Sequence, residues 1–414
     1  MAISVISCAL VIYVFCFIRF KNPKNVAKLL KYFDMCKFFC IFVLDFDILI
    51  KNLGKMQDKS LIYKRLYAWY ESSRRVLPWR ETEDPYYIWL SEVILQQTRV
   101  AQGMEYYLRF IARWPKVEDL AAAKEEEVLR EWQGLGYYSR ARNLHKAAQM
   151  IVESHSFPQT FEEIRALPGI GDYTAGAIAS FAYNLPYPAM DGNVYRVVAR
   201  LMDIDEAFDT TAGKKLFHKR IEELLDRDNP RLFNSAIMEF GALYCTPVLG
   251  DACEACPLAD ICMGHAHGTA DLLPVRKPRP KVRDRWFTYH IYLNDPYGEA
   301  DRSTAGRLEM VNVFTLIRKR ENPKDIWYHL YEFPCEESVS EAPEKPRNIE
   351  ISKYRDIELT HVLSHQRIHA RFIIHKVQQM PEIPGTILIR WDDLDDFALS
   401  RLTLRALDTI QHKA

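Results

Sequence analysis

Between residues 61 and 263, apolar side chains recur at three- and four-residue intervals, the period of amphipathic helices. Leu61, Leu66, Trp69 and Tyr70 mark a first helix that Pro78 closes off. Val93, Ile94, Gln97, Val100, Ala101, Met104 and Leu108 mark one helix after it, opened by the segment 89–99. Further helical patterns cover 118–133, 139–155, 161–166, 173–183, 193–202, 212–226 and 231–243. Beyond residue 284 the period changes: 285–293, 310–319 and 368–376 read as strands, and Ile368, Ala370, Phe372 and Ile374 alternate with polar neighbours. Residues 391–412 return to helical spacing. The pattern predicts a multidomain chain, an all-α part followed by a smaller α+β part. A basic, proline-rich stretch between 266 and 284 reads as the linker.

A length of 414 residues has room for two or three domains, and 48% hydrophobic with 27% charged residues excludes a disordered chain. The formal net charge is +0, which argues against a non-specific nucleic-acid coat. A DNA site must then be a local basic patch, offset by acids such as Glu125, Glu126 and Glu127 or Asp392, Asp393, Asp395 and Asp396. Residues 3–18 are almost wholly apolar and precede Arg19, Lys21 and Lys24. That run is short for a membrane helix and lacks the basic start of a signal peptide. A second apolar run, 38–50, is broken by Asp45 and Asp47. The reading favours Met56 as the initiator, with 1–55 outside the functional protein, over a membrane tether. It places the protein in the cytoplasm, associated with the nucleoid.

Three motifs carry chemistry. Leu167-Pro168-Gly169-Ile170-Gly171-Asp172 lies between two helical patterns and makes a tight hairpin. Its glycines are free to take φ > 0, and the N–H groups that open the next helix form an anion site, suited to a DNA phosphate. An ordinary glycine-rich turn is the alternative. Cys245, Cys253, Cys256 and Cys262 cluster in one short loop, unlike an evenly spread disulfide framework. A thiolate quartet this compact favours a [4Fe–4S] cluster over zinc, whose knuckles usually pair across a longer gap. Glu92 falls among apolar residues that raise its pKa and keep it protonated as a general acid, or it complements a helix dipole. Asp191 either caps the helix after it or supplies the ionised partner. Two carboxyls in separate environments are what cleavage of a glycosidic bond needs.

The hairpin, the segments around Glu92 and Asp191, Gly134-Leu135-Gly136-Tyr137-Tyr138-Ser139-Arg140 and the cysteine loop occur in one order that closely resembles the MutY family of adenine DNA glycosylases, in the endonuclease III superfamily. The resemblance runs from about Tyr63 to beyond Arg390. It implies an all-α helix–hairpin–helix glycosylase core with an iron–sulfur loop, followed by a Nudix-like α+β domain. The implied domains are 56–79 with 188–266 around the cluster, a six-helix barrel at 80–187, a linker at 267–283 and the Nudix-like domain at 284–414. By the same resemblance Glu92 protonates N7 of a flipped-out adenine, Asp191 stabilises the cationic sugar, and Tyr173 and Asn193 orient them. Arg80 and Glu239 surround the adenine. Gln97 and Tyr137 wedge into the duplex, and Gly169 and Gly171 hold a phosphate. Ser364 and His365 contact the oxidised base in the opposite strand, where without the resemblance they read as a surface turn.

The implied activity is monofunctional base-excision repair: hydrolytic removal of adenine opposite 8-oxoguanine or guanine in double-stranded DNA. A monomer is expected, with a replication clamp as a further partner. Strand-cutting relatives carry lysine where Tyr173 stands, which argues against a pyrimidine glycosylase/lyase, and intact Glu92 and Asp191 argue against a non-catalytic damage sensor. The C-terminal part lacks the multi-glutamate Nudix metal signature. Two departures stand out. Seven residues separate Cys245 from Cys253 where the family has six, and the loop between them lacks basic residues, which shifts DNA contact toward Arg140, Arg142 and Lys146. Leu363 replaces the phenylalanine usual before the Ser-His pair.

Overall fold

The computed structural model describes residues 59–278, 282–294, 313–338, 356–363 and 365–413. Residues 1–55 and Ser364, both singled out above, lie outside them. No helix among the described residues is long and apolar enough to cross a membrane. The helical part runs from Lys59–Ser73 to Met263–Ala266 and holds two hydrophobic cores. One gathers around Trp79, Trp89, Phe110 and Trp132, the other around Ile62, Leu66, Phe217, Phe233 and Phe240.

Three helical expectations are corrected. The first helix ends at Ser73, before Pro78, and Pro78 instead opens the short 3-10 turn Pro78–Arg80, where its missing N–H costs nothing. The single helix over 93–108 is two, Pro85–Leu95 and Val100–Arg113. The break comes from Gln97 at φ 55° and from Arg140, which donates to carbonyls at the end of the first helix. The helix over 118–133 divides into Val117–Ala122 and Glu125–Glu131 because Lys124 is extended and its N–H donates to Glu127 (3.0 Å). The barrel segment 80–187 therefore contains seven α-helices rather than six.

Among the described residues, the C-terminal part is built on a seven-stranded mixed sheet. β1 (Arg283–Asn294) runs parallel to β6 (Gln366–Val377) from Arg283↔Gln366 to Asn294↔Val377. β4 (Cys335–Ser338) and β5 (Ile357–Val362) pair antiparallel with β1 and β6 respectively. β2 (Phe314–Lys319) meets β1 at Asn294↔Phe314 and carries β3 (Tyr331–Glu332) and β7 (Thr386–Arg390), so the sheet forks. Phe287, Tyr289, Ile291, Ile368 and Phe372 point to one face and bury against Leu402, Ala406 and Ile410 of the Arg401–Lys413 helix. The stretch that read as linker is partly packed: Val275 accepts from the Phe208 N–H (3.3 Å), and the Arg276 guanidinium lies 5.0 Å from the Phe208 ring centre.

Candidate active site and nucleic-acid face

Pro85–Leu95 buries nearly every residue it contains, so Glu92 is only 3% exposed. Arg80, at the end of the Pro78–Arg80 turn, sits 3.6 Å from Glu92 with its guanidinium 3.7 Å above the Phe181 ring centre. The Tyr173 hydroxyl donates to Glu92 Oε2 (3.1 Å). Burial pushes the Glu92 carboxyl up; Arg80 and Tyr173 pull it back only in part, and the charge of Asp191 pushes it further up. Glu92, Arg80, Tyr173 and Asp191 thus share one pocket.

Asp191 caps the Gly192–Met202 helix. Its Oδ1 accepts from the N–H groups of Asn193 (2.9 Å) and Val194 (2.8 Å), and its Oδ2 from Asn193 Nδ2 (2.7 Å). Asn193 is held in turn by Arg196 Nη2, which donates to its Oδ1 (2.8 Å). Burial also raises the Asp191 carboxyl, but three donors and the positive end of the helix oppose that rise. Capping and a role in the pocket are therefore compatible at this residue: one oxygen caps the helix and the other takes the Asn193 side chain. Two carboxyls result, one beside a phenol and a stacked guanidinium, one ringed by N–H donors. Such a pair separates a proton donor from an anion.

Glu239 is engaged differently from the expectation. Both oxygens are taken by Arg75: Oε1 accepts from Arg75 N (3.0 Å) and Nε (2.7 Å), and Oε2 from Nη2 (2.7 Å). Burial alone would raise this carboxyl, yet the Arg75 hydrogen bonds bring it below its ordinary value. Arg75 is a partner of Glu239 that sequence reasoning missed. Its only local signal is the Arg74-Arg75 pair ahead of Leu77-Pro78-Trp79.

At the hairpin, Gly169 alone takes positive φ (78°), and an added Cβ there would lie 2.9 Å from Asn143 Cβ. Gly171 is the N-cap of Asp172–Tyr183 at φ −99°, with open space where a Cβ would go. Gln96 Nε2 donates to Thr174 Oγ1 (3.1 Å) and Gly169 O (3.4 Å), tying the end of the Glu92 helix to the hairpin. Gln97 and Tyr137 are exposed nearby, both on left-handed backbone. Two of the three expected phosphate contacts are corrected. Arg140 is 8% exposed and spent on backbone carbonyls, and Arg142 Nη1 donates to Tyr328 O (2.7 Å) in the C-terminal part. Lys146 is exposed.

Cys245, Cys253, Cys256 and Cys262 line one small pocket of about 30 Å³ with Arg200, Leu258 and His265. Burial, reinforced by the neighbouring thiols, pushes Cys256 up to about 12 and Cys262 up to about 11. Such a set of thiols calls for a cationic group to hold it. Arg200 Nη1 lies 3.3 Å from Cys245 Sγ, and the Leu258 N–H donates to Cys256 Sγ (3.4 Å). Among the described residues no three His, Cys, Asp or Glu converge on the point where a single metal ion would sit. In the C-terminal part, the Leu363 N–H donates to Gln366 O (2.7 Å), and His365 is exposed and hydrogen-bonded to Gln366 (2.6 Å). Leu363 packs against the sheet core.

Comparison with known proteins adds the following. Residues 90–226 match the family model of the HhH-GPD superfamily base excision DNA repair proteins, and residues 310–409 match the NUDIX domain model. The chain is 38% identical over 238 residues to the adenine DNA glycosylase of Mus musculus, covering 55% of this chain and 46% of that protein, so it spans about half of that relative's length. It is 32% identical over 330 residues to the adenine DNA glycosylase of Buchnera aphidicola subsp. Baizongia pistaciae, covering 77% of this chain and 87% of that one. A solved thermostable thymine-DNA glycosylase, 24% identical, aligns with 52% of this chain and 99% of its own at a TM-score of 0.46.

Proposed function

The chain belongs to the adenine DNA glycosylase family, and on that premise we propose that it is a monofunctional DNA N-glycosylase that removes adenine opposite 8-oxoguanine or guanine. The observation that carries the reading is the pairing of Glu92 and Asp191 in one buried pocket with unlike surroundings. Adenine extruded into this pocket meets Glu92 in its protonated form. Transfer of that proton to the departing base weakens the glycosidic bond, whose electrons leave with adenine. Asp191, whose N–H donors favour its anionic form against the pull of burial, faces the cationic sugar that remains. Water then adds its oxygen to the sugar carbon and returns a proton to the Glu92 carboxylate. Tyr173 supplies no amine, so no Schiff base forms and the strand stays intact. Arg75 presents Glu239 as a fixed acceptor at the edge of the pocket.

Residues 245, 253, 256 and 262 fit a [4Fe–4S] cluster: four thiols line one pocket on a single short loop. When bound, the group would cross-link the loop after Pro230–Leu243 and so brace the helix that carries Glu239. Cys256→Ser is expected to lose iron and visible absorption and to melt earlier; iron-independent folding of that variant would count against the assignment. The C-terminal part would read the opposite strand, with His365 exposed just before β6.

The test uses the full chain loaded with iron, in single turnover on a duplex with adenine opposite 8-oxoguanine, quenched with and without alkali. Strand breakage only after alkali is expected. Breakage without alkali, or no adenine release at all, would overturn the reading.

A further inference from the structure

Two side chains beside the hairpin project outward from backbones that disfavour them. Gln97 (φ 55°) is exposed and Tyr137 (φ 48°) is 44% exposed. A side chain held on left-handed backbone costs free energy that surrounding contacts must offset, and such strain collects at functional sites. Arg140 makes the contacts for both. Its Nη1 lies within hydrogen-bonding reach of Val93 O (3.1 Å), Ile94 O (2.8 Å), Gln96 O (2.6 Å) and Thr98 Oγ1 (3.3 Å). Its Nη2 reaches Leu135 O (3.4 Å) and Gly136 O (3.2 Å). The guanidinium lies 5.0 Å from the Trp132 ring centre and 5.8 Å from that of Tyr137.

No ion pair among the described residues includes Arg140, and burial pulls its guanidinium down to about 10. A buried cation with carbonyls as its partners is a costly way to fill space, since an apolar side chain would do that alone. What an apolar side chain lacks is a planar fork whose two ends address two loops far apart in sequence. Nη1 addresses the loop with Gln97 and Nη2 the loop with Tyr137. Opening a base pair needs side chains that fill the gap left in the stack, and a wedge works only if it does not yield.

Building on the base extrusion proposed above, we infer that Arg140 is a positioning residue that locks Gln97 and Tyr137 into a two-pronged wedge. Extrusion of the base then depends on Arg140, whereas cleavage in the Glu92 pocket does not.

The experiment compares full-length, iron-loaded protein with Arg140→Lys, which keeps the charge but replaces the fork by one head. Adenine release is followed in single turnover from a paired duplex and from a duplex whose adenine lies in an unpaired bubble. Fluorescence of 2-aminopurine beside the adenine reports unstacking. Expected is about a hundredfold slower release from the paired duplex, against a change of about threefold or less from the bubble. The unstacking signal should fade in parallel. Equal slowing on both substrates, or no slowing on either, would overturn the inference. If Arg140→Lys does not fold, Gly136→Ala carries the test. Its Cβ meets no atom within 4 Å but strains the φ of 74° beside the carbonyls that Nη2 holds. The same split between substrates supports the bridge, and its absence refutes it. Unsubstituted protein that releases adenine from neither substrate would overturn the functional reading itself.

Discussion

Glu92 is a residue whose stability cost and chemical use are the same property. It is buried, its carboxyl is raised by that burial, and Arg80, at 3.6 Å, leaves Nη1 without a hydrogen-bond partner in the described structure. A folded-state value above the ordinary 4.5 means that the native state binds the extra proton. The contribution is therefore complete below the ordinary value and is lost as pH rises through the raised one. Glu92→Gln removes the titration. It is expected to abolish adenine release yet to be more stable than the parent at pH 8, with the gap closing toward pH 5. Urea unfolding at both pH values reads this; a variant less stable at pH 8 would mean the pocket holds the carboxylate. The same signs give release a bell-shaped pH profile, its alkaline limb from Glu92 and its acid limb from Asp191. The members of this pocket were readable from the order of motifs, but which of them touch was not. Arg75 escaped because its partner lies 164 residues away and nothing local separates it from Arg74.

The elements that place these groups approach closely at glycines. A Cβ on Gly241 would sit 2.7 Å from Asn193 Cβ and 2.9 Å from Asn193 O, where Pro230–Leu243 crosses the start of Gly192–Met202. Gly241→Ala must push that helix start, and Asp191 with it, away from Glu92. The expected cost is about 1–3 kcal/mol in stability. Release should slow by about tenfold or more, because the two carboxyls lose their register. Gly192→Ala is the matched control: it has ordinary φ, no atom within 4 Å of the added Cβ, and stands one residue from Asp191. It should leave stability unchanged or raise it by up to about 1 kcal/mol. Equal losses from the two substitutions, in chemical denaturation and single turnover, would remove the packing argument. Helical period marked most of these elements because most of them bury one face along their own length. It ran through the breaks at 96–99 and 123–124, since the groups that make them, Arg140 and the Glu127 carboxylate, do not alter the apolar spacing. Tyr331–Glu332 and Cys335–Ser338 were invisible because strands of two and four residues carry no measurable alternation.

The two parts of the molecule meet across the helical face that leads to Tyr137, and magnitudes decide what holds them. Glu125 pairs with His329 (2.6 Å), Glu126 with Lys319 (3.0 Å) and Arg130 with Asp396 (2.9 Å). The acids expected to balance a DNA patch thus include three that bind the two parts of the chain together. All these pairs are partly solvated, and each is worth about 0–1 kcal/mol. Leu330, by contrast, is fully buried in the helical core together with Ala398, although both belong to the C-terminal part. Neutral hydrogen bonds add register: the Tyr138 hydroxyl donates to Leu399 O (3.1 Å) and the Leu399 N–H to Gln133 Oε1 (3.1 Å), on either side of the wedge loop. Docking should therefore survive high salt and the double change Glu125→Gln with Glu126→Gln, but not Leu330→Ala, which opens a cavity costing about 2–5 kcal/mol. Calorimetry is expected to show one unfolding transition for the parent and the double variant and two for Leu330→Ala. Because the loop with Tyr137 is gripped from the C-terminal side, Leu330→Ala should also narrow the difference in release rate between adenine opposite 8-oxoguanine and adenine opposite guanine. If the charge variants uncouple the transitions and Leu330→Ala does not, electrostatics rather than apolar burial joins the two parts.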